Sequence, residues 1–260
     1  MIESVKFKVR HQHPRLLYFY RVVCRLPREL RPVLRFLLNR DLPNTSFGWR
    51  LWFVLRMYRI SLSVDAQHNQ VEILRVAEAI LHVPASVAGC IVECGAFKGA
   101  SAAKFSLVAS HVGRRLFVFD SFEGIPPNEE AAELNIYGHM LSFPKGSYAG
   151  ALDEVQSNVR RFGDINGCRF VKGWLQDTLP EFKEPVAVAF VDVDLASSTR
   201  VAFKYLWPLL AAQGSAFSHD GGLPAVRAVL GDEAFWRHEV GCERPQMHGL
   251  GKSRLVRILN

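Results

Sequence analysis

The stretch Val92-Glu93-Cys94-Gly95-Ala96-Phe97-Lys98-Gly99 constrains this chain more than any other. Gly89 to Val92 reads as a buried strand and Ala100 to Ala109 as a helix, so the chain must turn sharply between them. Gly95 permits the turn where a Cβ would clash, and Gly99 lets the helix begin close to a ligand. The spacing is acid-x-Gly-x-x-x-Gly, not the Gly-x-Gly-x-x-Gly of dinucleotide sites. Glu93 places an acceptor before the turn, where it would repel a pyrophosphate. Ala96, Phe97 and Ser101, in the turn and the first helical residues, join Glu93, Gly95 and Gly99 as candidate ligand contacts.

A second acid narrows the ligand. The apolar run Arg115 to Phe119 ends in Asp120-Ser121-Phe122-Glu123-Gly124 and reads as the second strand of a βαβ unit. Asp120 follows the glycine turn at about the offset where a carboxylate meets a ribose diol. A carboxylate accepts from both hydroxyls, which an amide or alcohol does less well. Ser121 and Phe122 belong to the same segment. A ligand carrying an ammonium, a sulfonium and a ribose diol suits these two acids, and S-adenosylmethionine is such a ligand.

Alternation of strand-like and helix-like runs continues along the chain. Ser63 to Leu81 and Tyr148 to Phe162 have helical spacing, as do Ser198 to Ala212, with Gly214 as a stop, and Ala225 to Trp236. Arg169 to Lys172, Val186 to Val191, Ser215 to Ser218 and Arg254 to Leu259 read as strands, and the uninterrupted apolar run from Val186 suits a strand buried on both faces. The pattern predicts a three-layer, Rossmann-like α/β fold with a mostly parallel sheet. The segment from Ile125 to Ser147, which contains His139, reads as a long loop or lid. His139 is first a surface residue by this reading and secondarily a candidate catalytic base.

Charge divides the chain. Residues 1–65 hold 13 Lys+Arg against 4 Asp+Glu, and the remainder 19 against 21. The division predicts a basic helical extension over 1–62 before a ligand-binding domain over 63–260. Arg15, Arg21, Arg25, Arg28, Arg31 and Arg35 alternate with apolar residues, while Pro27 and Pro32 are expected to break any long helix there. Packing on the core or on a second copy in a homo-oligomer is the first reading of this segment. Peripheral contact with a membrane is the alternative, and no nucleic-acid motif is found. Five cysteines without metal spacing fit a reducing, cytoplasmic setting. Neither a signal-peptide pattern nor an apolar run of about 18 residues is seen.

Two more strand ends carry acids: Asp192-Val193-Asp194 after the apolar strand and His219-Asp220-Gly221-Gly222 after the next. In a doubly wound sheet both would face the crevice that holds Asp120. Such a cluster calls for a cation, so Asp192, His219 and Asp220 are candidate ligands for Mg2+ or Mn2+. The ion would orient a hydroxyl and lower its pKa, with Asp192 within reach of the proton.

Taken with Phe119-Asp-Ser-Phe-Glu-Gly-Ile-Pro126, Gly173-Trp-Leu-Gln-Asp-Thr-Leu-Pro180 and Asp192-Val-Asp-Leu-Ala-Ser-Ser-Thr199, the glycine turn and His219-Asp220 resemble blocks of the metal-dependent macrocin-type O-methyltransferases, in the same order. The resemblance spans roughly Ser63 to Leu230. It implies the class I methyltransferase fold, S-adenosylmethionine as donor and a small hydroxyl-bearing acceptor, glycosylated in this family. It further implies that Glu93, Gly95 and Asp120 serve the donor, that Gly173 and Trp174 lie near its adenine, and that Asp192 and Asp220 are metal ligands, with Asp192 also a base. The chain departs in having His219 where an aspartate pair is common. A catalytically silent donor-binding scaffold is therefore the competing reading, and the acid-x-Gly-x-x-x-Gly spacing disfavours an oxidoreductase.

Overall fold

The computed structural model describes residues 14–260. A seven-stranded sheet forms its centre, in the order β5-β2-β1-β6-β7-β9-β8. These strands are β1 (Cys90–Cys94), β2 (Leu116–Asp120), β5 (Cys168–Lys172), β6 (Val186–Val191), β7 (Leu210–Ser218), β8 (Gln246–His248) and β9 (Val256–Leu259). β1, β2, β5, β6 and β7 run parallel, while β9 is antiparallel to β7 and β8 to β9. Chain order reverses between β1 and β6, so the crevice of the fold opens at their carboxyl ends. β1 and β6 are fully buried along their length, which is why Val186 to Val191 carries no polar residue.

Helices cover both faces. On one face α3 (Gln70–His82) and α4 (Ala100–His111) pack with two N-terminal helices, α1 (Pro14–Leu38) and α2 (Phe47–Ser61). Val33 and Phe36 of α1 and Phe53, Met57 and Ile60 of α2 belong to the same core cluster as Ile73, Phe105 and Phe190. The basic extension thus shares its core with the sheet. On the other face lie α6 (Leu175–Thr178), α7 (Ala196–Leu206) and α8 (Pro224–Gly231), around Phe203, Trp207 and Trp236.

Several boundaries differ from expectation. α1 continues through Pro27 and Pro32. The carbonyls those rings leave without a donor, on Val23 and Arg28, belong to exposed residues that water can serve. Burial of Glu29, Val33 and Phe36 holds the helix in place. α3 begins at Gln70 rather than Ser63, because Asn69 and Glu72 form a capping box. α7 ends at Leu206, before Pro208, and Leu210 to Gln213 extend β7 instead of the helix. The long loop contains a small hairpin of β3 (Glu133–Leu134) and β4 (Met140–Leu141).

Candidate active site

A cleft of about 810 Å³ opens at the carboxyl ends of β1, β2, β6 and β7. On one side lies the glycine turn. Gly95 has φ +88°, and a Cβ there would stand 1.9 Å from the Asp192 carbonyl oxygen, so only glycine lets the ends of β1 and β6 approach this closely. The Asp120 carboxylate accepts from the Ala96 and Phe122 amides, both at 2.6 Å. Burial raises its pKa against the pull of those amides. Phe97, Phe122 and Asp194 all have positive φ, so strained backbone gathers around the cleft.

Of the residues expected to serve the donor, Gly95, Ala96, Phe97, Ser101, Asp120, Ser121, Gly173 and Trp174 line the cleft. Glu93, Gly99 and Phe122 do not. Glu93 is fully buried beneath the turn, and its carboxylate makes no well-formed hydrogen bond, with only the Ser101 hydroxyl near enough to favour its charge. Burial pushes its pKa to about 8, against the favourable Ser101 hydroxyl. Gly99 packs on α5 (Leu152–Phe162): a Cβ there would meet Val155 at 2.9 Å, not a ligand. Phe122 is buried in the core.

The opposite side is acidic and already crosslinked. His219 Nδ1 lies 3.0 Å from Asp192 Oδ1, and its Nε2 lies 3.0 Å from Glu72 Oε2. Arg254 Nη2 approaches the same Nδ1 at 3.2 Å. Asp220 accepts from the Val193 and Asp194 amides, each at 2.9 Å. Burial alone would lower the His219 pKa, but Asp192 and then Glu72 outweigh it and raise it to about 10. Burial likewise opposes ionisation of Glu72, yet the His219 contact carries it down to about 2. Asp220 is pushed up to about 6 by burial and by Asp192. Arg254, despite burial, is held charged by Glu72, Asp192, Asp220 and Asp194.

The donor set can accept a divalent ion. One ligand atom each from Asp192, His219 and Asp220 falls within 4.8 Å of the others. The 3.0 Å between His219 Nδ1 and Asp192 Oδ1 matches adjacent ligands around a six-coordinate ion with bonds of about 2.1 Å. Glu72 on Nε2 would fix the tautomer that leaves Nδ1 for the ion. An ion must, however, displace the imidazolium proton and stand beside the Arg254 guanidinium.

Sequence reasoning missed Glu72 and Arg254. Glu72 looks like an ordinary capping residue, and it does accept from the Asn69 amide; its second contact crosses 147 positions. Arg254 precedes the antiparallel strand β9, where the sequence shows no motif. The lid was expected, its fastening was not. Glu130 accepts from the Ala196 and Ser197 amides at the start of α7, and Glu133 from the Ala225 amide at the start of α8. His139 lies exposed on this lid at the cleft mouth, and no contact joins it to Asp192.

A parallel sheet with a reversed edge, a glycine turn and a ribose-range acid at its crevice together define a class I S-adenosylmethionine-dependent methyltransferase. Solved structures agree on the fold: the O-methyltransferase NovP aligns with TM-score 0.64 and 20% identity over 81% of this chain and 98% of its own. The calicheamicin methyltransferase CalS11 aligns with TM-score 0.57 and 18% identity, over 90% of this chain and 93% of its own. The macrocin O-methyltransferase (TylF) family model matches residues 69–245, and the chain belongs to that family of enzymes. A Streptomyces olivaceus enzyme, 8-demethyl-8-(2,3-dimethoxy-alpha-L-rhamnosyl)-tetracenomycin-C 4'-O-methyltransferase, is 30% identical over 185 residues, covering 61% of this chain and 69% of its own length.

Proposed function

We propose that this O-methyltransferase methylates a hydroxyl on a sugar of a small glycosylated natural product. The observation that carries the reading is the meeting, in one cleft, of the donor-side turn with the Asp192–His219–Asp220 cluster. The sugar-modifying relative supports the acceptor class. S-adenosylmethionine supplies an electrophilic methyl group. Asp120 would accept from its ribose hydroxyls with lone pairs left over from the turn amides. Ser101, Gly173 and Trp174 would enclose the rest.

The acceptor oxygen must attack in line and lose a proton. Asp192, the cluster member whose side chain reaches the cleft, would take that proton. His219, held by Glu72, fixes the Asp192 carboxylate in place. Mg2+ or Mn2+ held by Asp192, His219 and Asp220 would lower the pKa of the acceptor hydroxyl. A second reading has a specific support: Arg254 already brings a fixed positive charge to the cluster, and with His219 it would supply the stabilisation otherwise asked of the ion. The 63–260 unit would hold the donor chemistry, and the 1–62 extension, whose Arg25, Arg28 and Glu29 line the cleft, would help select the acceptor.

Methyl transfer to a panel of deoxysugar glycosides, before and after EDTA treatment and Mg2+ or Mn2+ addition, tests both parts. Loss with EDTA and recovery with metal supports the ion. Full activity in EDTA, abolished by Arg254→Met, supports the second reading. No transfer to any sugar hydroxyl while donor still binds would overturn the acceptor class.

A further inference from the structure

Among the described residues, α1 leaves a long face without a partner. It extends 25 residues, about 37 Å at 1.5 Å per residue. Glu29, Val33 and Phe36 point into the core. At 100° per residue, the side chains about 60° to 180° around the helix from Glu29 are apolar from Leu16 to Leu38. Phe19, Val23, Leu30 and Leu34 are among them; the exposed residues on this face run from 44% to 68%, and Leu37 is half-buried against the core. α2 adds exposed Phe47, Trp52 and Leu55. So large an apolar surface on a folded chain marks an interaction site.

The charges beside it say what covers it. Arg28, Arg31 and Arg35 are exposed and form a row along the edge of the apolar face. The two helices contain a single acid, Glu29. It is buried, bonded to the Tyr58 hydroxyl and the Gln70 amide, and so cannot answer those arginines; of the row, Arg35 is near an acid, Glu78 of α3. A second copy docking through this face would bring arginines against arginines with no exposed acid on either helix. An anionic bilayer answers both features: acyl chains take the leucines and phenylalanine, and headgroup phosphates take the guanidinium groups. Trp52, with the Arg56 guanidinium 5.9 Å from its ring centre, suits the headgroup level of such an interface. Among the described residues no helix is long and apolar enough to cross a membrane, so the contact is one of lying on the surface.

We infer that α1 and the adjoining surface of α2 form a peripheral binding face for anionic membranes. Arg28 belongs both to the arginine row and to the lining of the cleft.

The test uses the full-length protein and vesicle flotation, with phosphatidylcholine alone or with 30% phosphatidylglycerol. Binding should require the anionic lipid and fall at least tenfold as NaCl rises from 0.05 to 0.5 M, because screening shortens to a few ångströms. Arg31→Gln and Arg35→Gln should each weaken partitioning about fivefold. Leu30→Glu with Leu34→Glu should abolish it, while the affinity for S-adenosylhomocysteine and the circular dichroism stay unchanged. Equal binding to neutral and anionic vesicles, or none to either, overturns the inference. So does a dimer in analytical ultracentrifugation that Leu30→Glu with Leu34→Glu dissociates while the wild type ignores both vesicle types. Loss of donor affinity would refute only the integrity of the variant, and Arg31→Gln with Arg35→Gln, far from the core, then decides. None of these readouts depends on the acceptor, so their failure leaves the sugar-methylation reading standing.

Discussion

Replacing Glu93 by Gln should stabilise the protein, and by an amount that grows with pH. The carboxyl group is fully buried, and burial, only partly opposed by the nearby Ser101 hydroxyl, lifts its pKa from 4.5 to about 8. An acid whose folded pKa exceeds its unfolded one loses its proton first in the unfolded chain. Below pH 4.5 both states hold the proton and the group has no pH-dependent effect. Between pH 4.5 and 8 each pH unit costs the folded state about 1.4 kcal/mol, and above pH 8 the penalty levels off at about 5 kcal/mol. Glutamine has the same shape and no charge to desolvate. Urea unfolding of wild type and Glu93→Gln at pH 5, 7 and 9 should therefore show a gap that opens from under 1 kcal/mol to several. A gap of the same size at all three pH values would refute the argument, since it would mean that Glu93 keeps one protonation state throughout.

Further outcomes follow from the cleft. Asp120→Ala should weaken S-adenosylhomocysteine binding by about 1.5–3 kcal/mol in calorimetry, since it removes a charged acceptor and frees the Ala96 and Phe122 amides; unchanged affinity in a folded variant removes Asp120 from the donor. Gly99→Val should lower the melting temperature through the Val155 contact and the positive φ, at a cost of at least about 1–2 kcal/mol; a variant that keeps its melting temperature but loses donor would return Gly99 to the ligand. Asp192→Asn should retain donor affinity and lose at least about 100-fold in methyl transfer, the ordinary worth of a positioned base. Glu72→Gln should weaken any Mn2+ bound, read by electron paramagnetic resonance, by about 10–100-fold; equal Mn2+ affinity would remove Glu72 from the orientation of His219.

The order of strands and helices, the glycine turn and the acids at strand ends were legible because each is a local pattern. An apolar run such as Val186 to Val191 can be satisfied only by burial on both faces, and a chain turning at Gly95 has few alternatives. The strand-end rule then brings Asp120, Asp192, His219 and Asp220 to one crevice without any knowledge of contacts. What the local pattern misjudged was set by packing. Pro27 and Pro32 stop a helix in isolation, but here the buried faces of Val33 and Phe36 outweigh two missing hydrogen bonds whose carbonyls face water. Glu93 reads as a ligand contact until the sheet places it under the turn. Gly99 reads as part of a cradle until α5 arrives against it.

The sequence by itself determined the class of fold, the crevice and most of its lining, since those follow from periodicity and from residues that act through their own backbone. Tertiary structure alone decided which groups meet at the site and so which way their pKa values move. The His219 pKa is raised because Glu72 from α3 and Asp192 from the end of β6 converge on it, and Arg254 joins them from just before β9. No spacing in the chain records those approaches, because a pKa responds to what lies within a few ångströms and not to what is near in sequence.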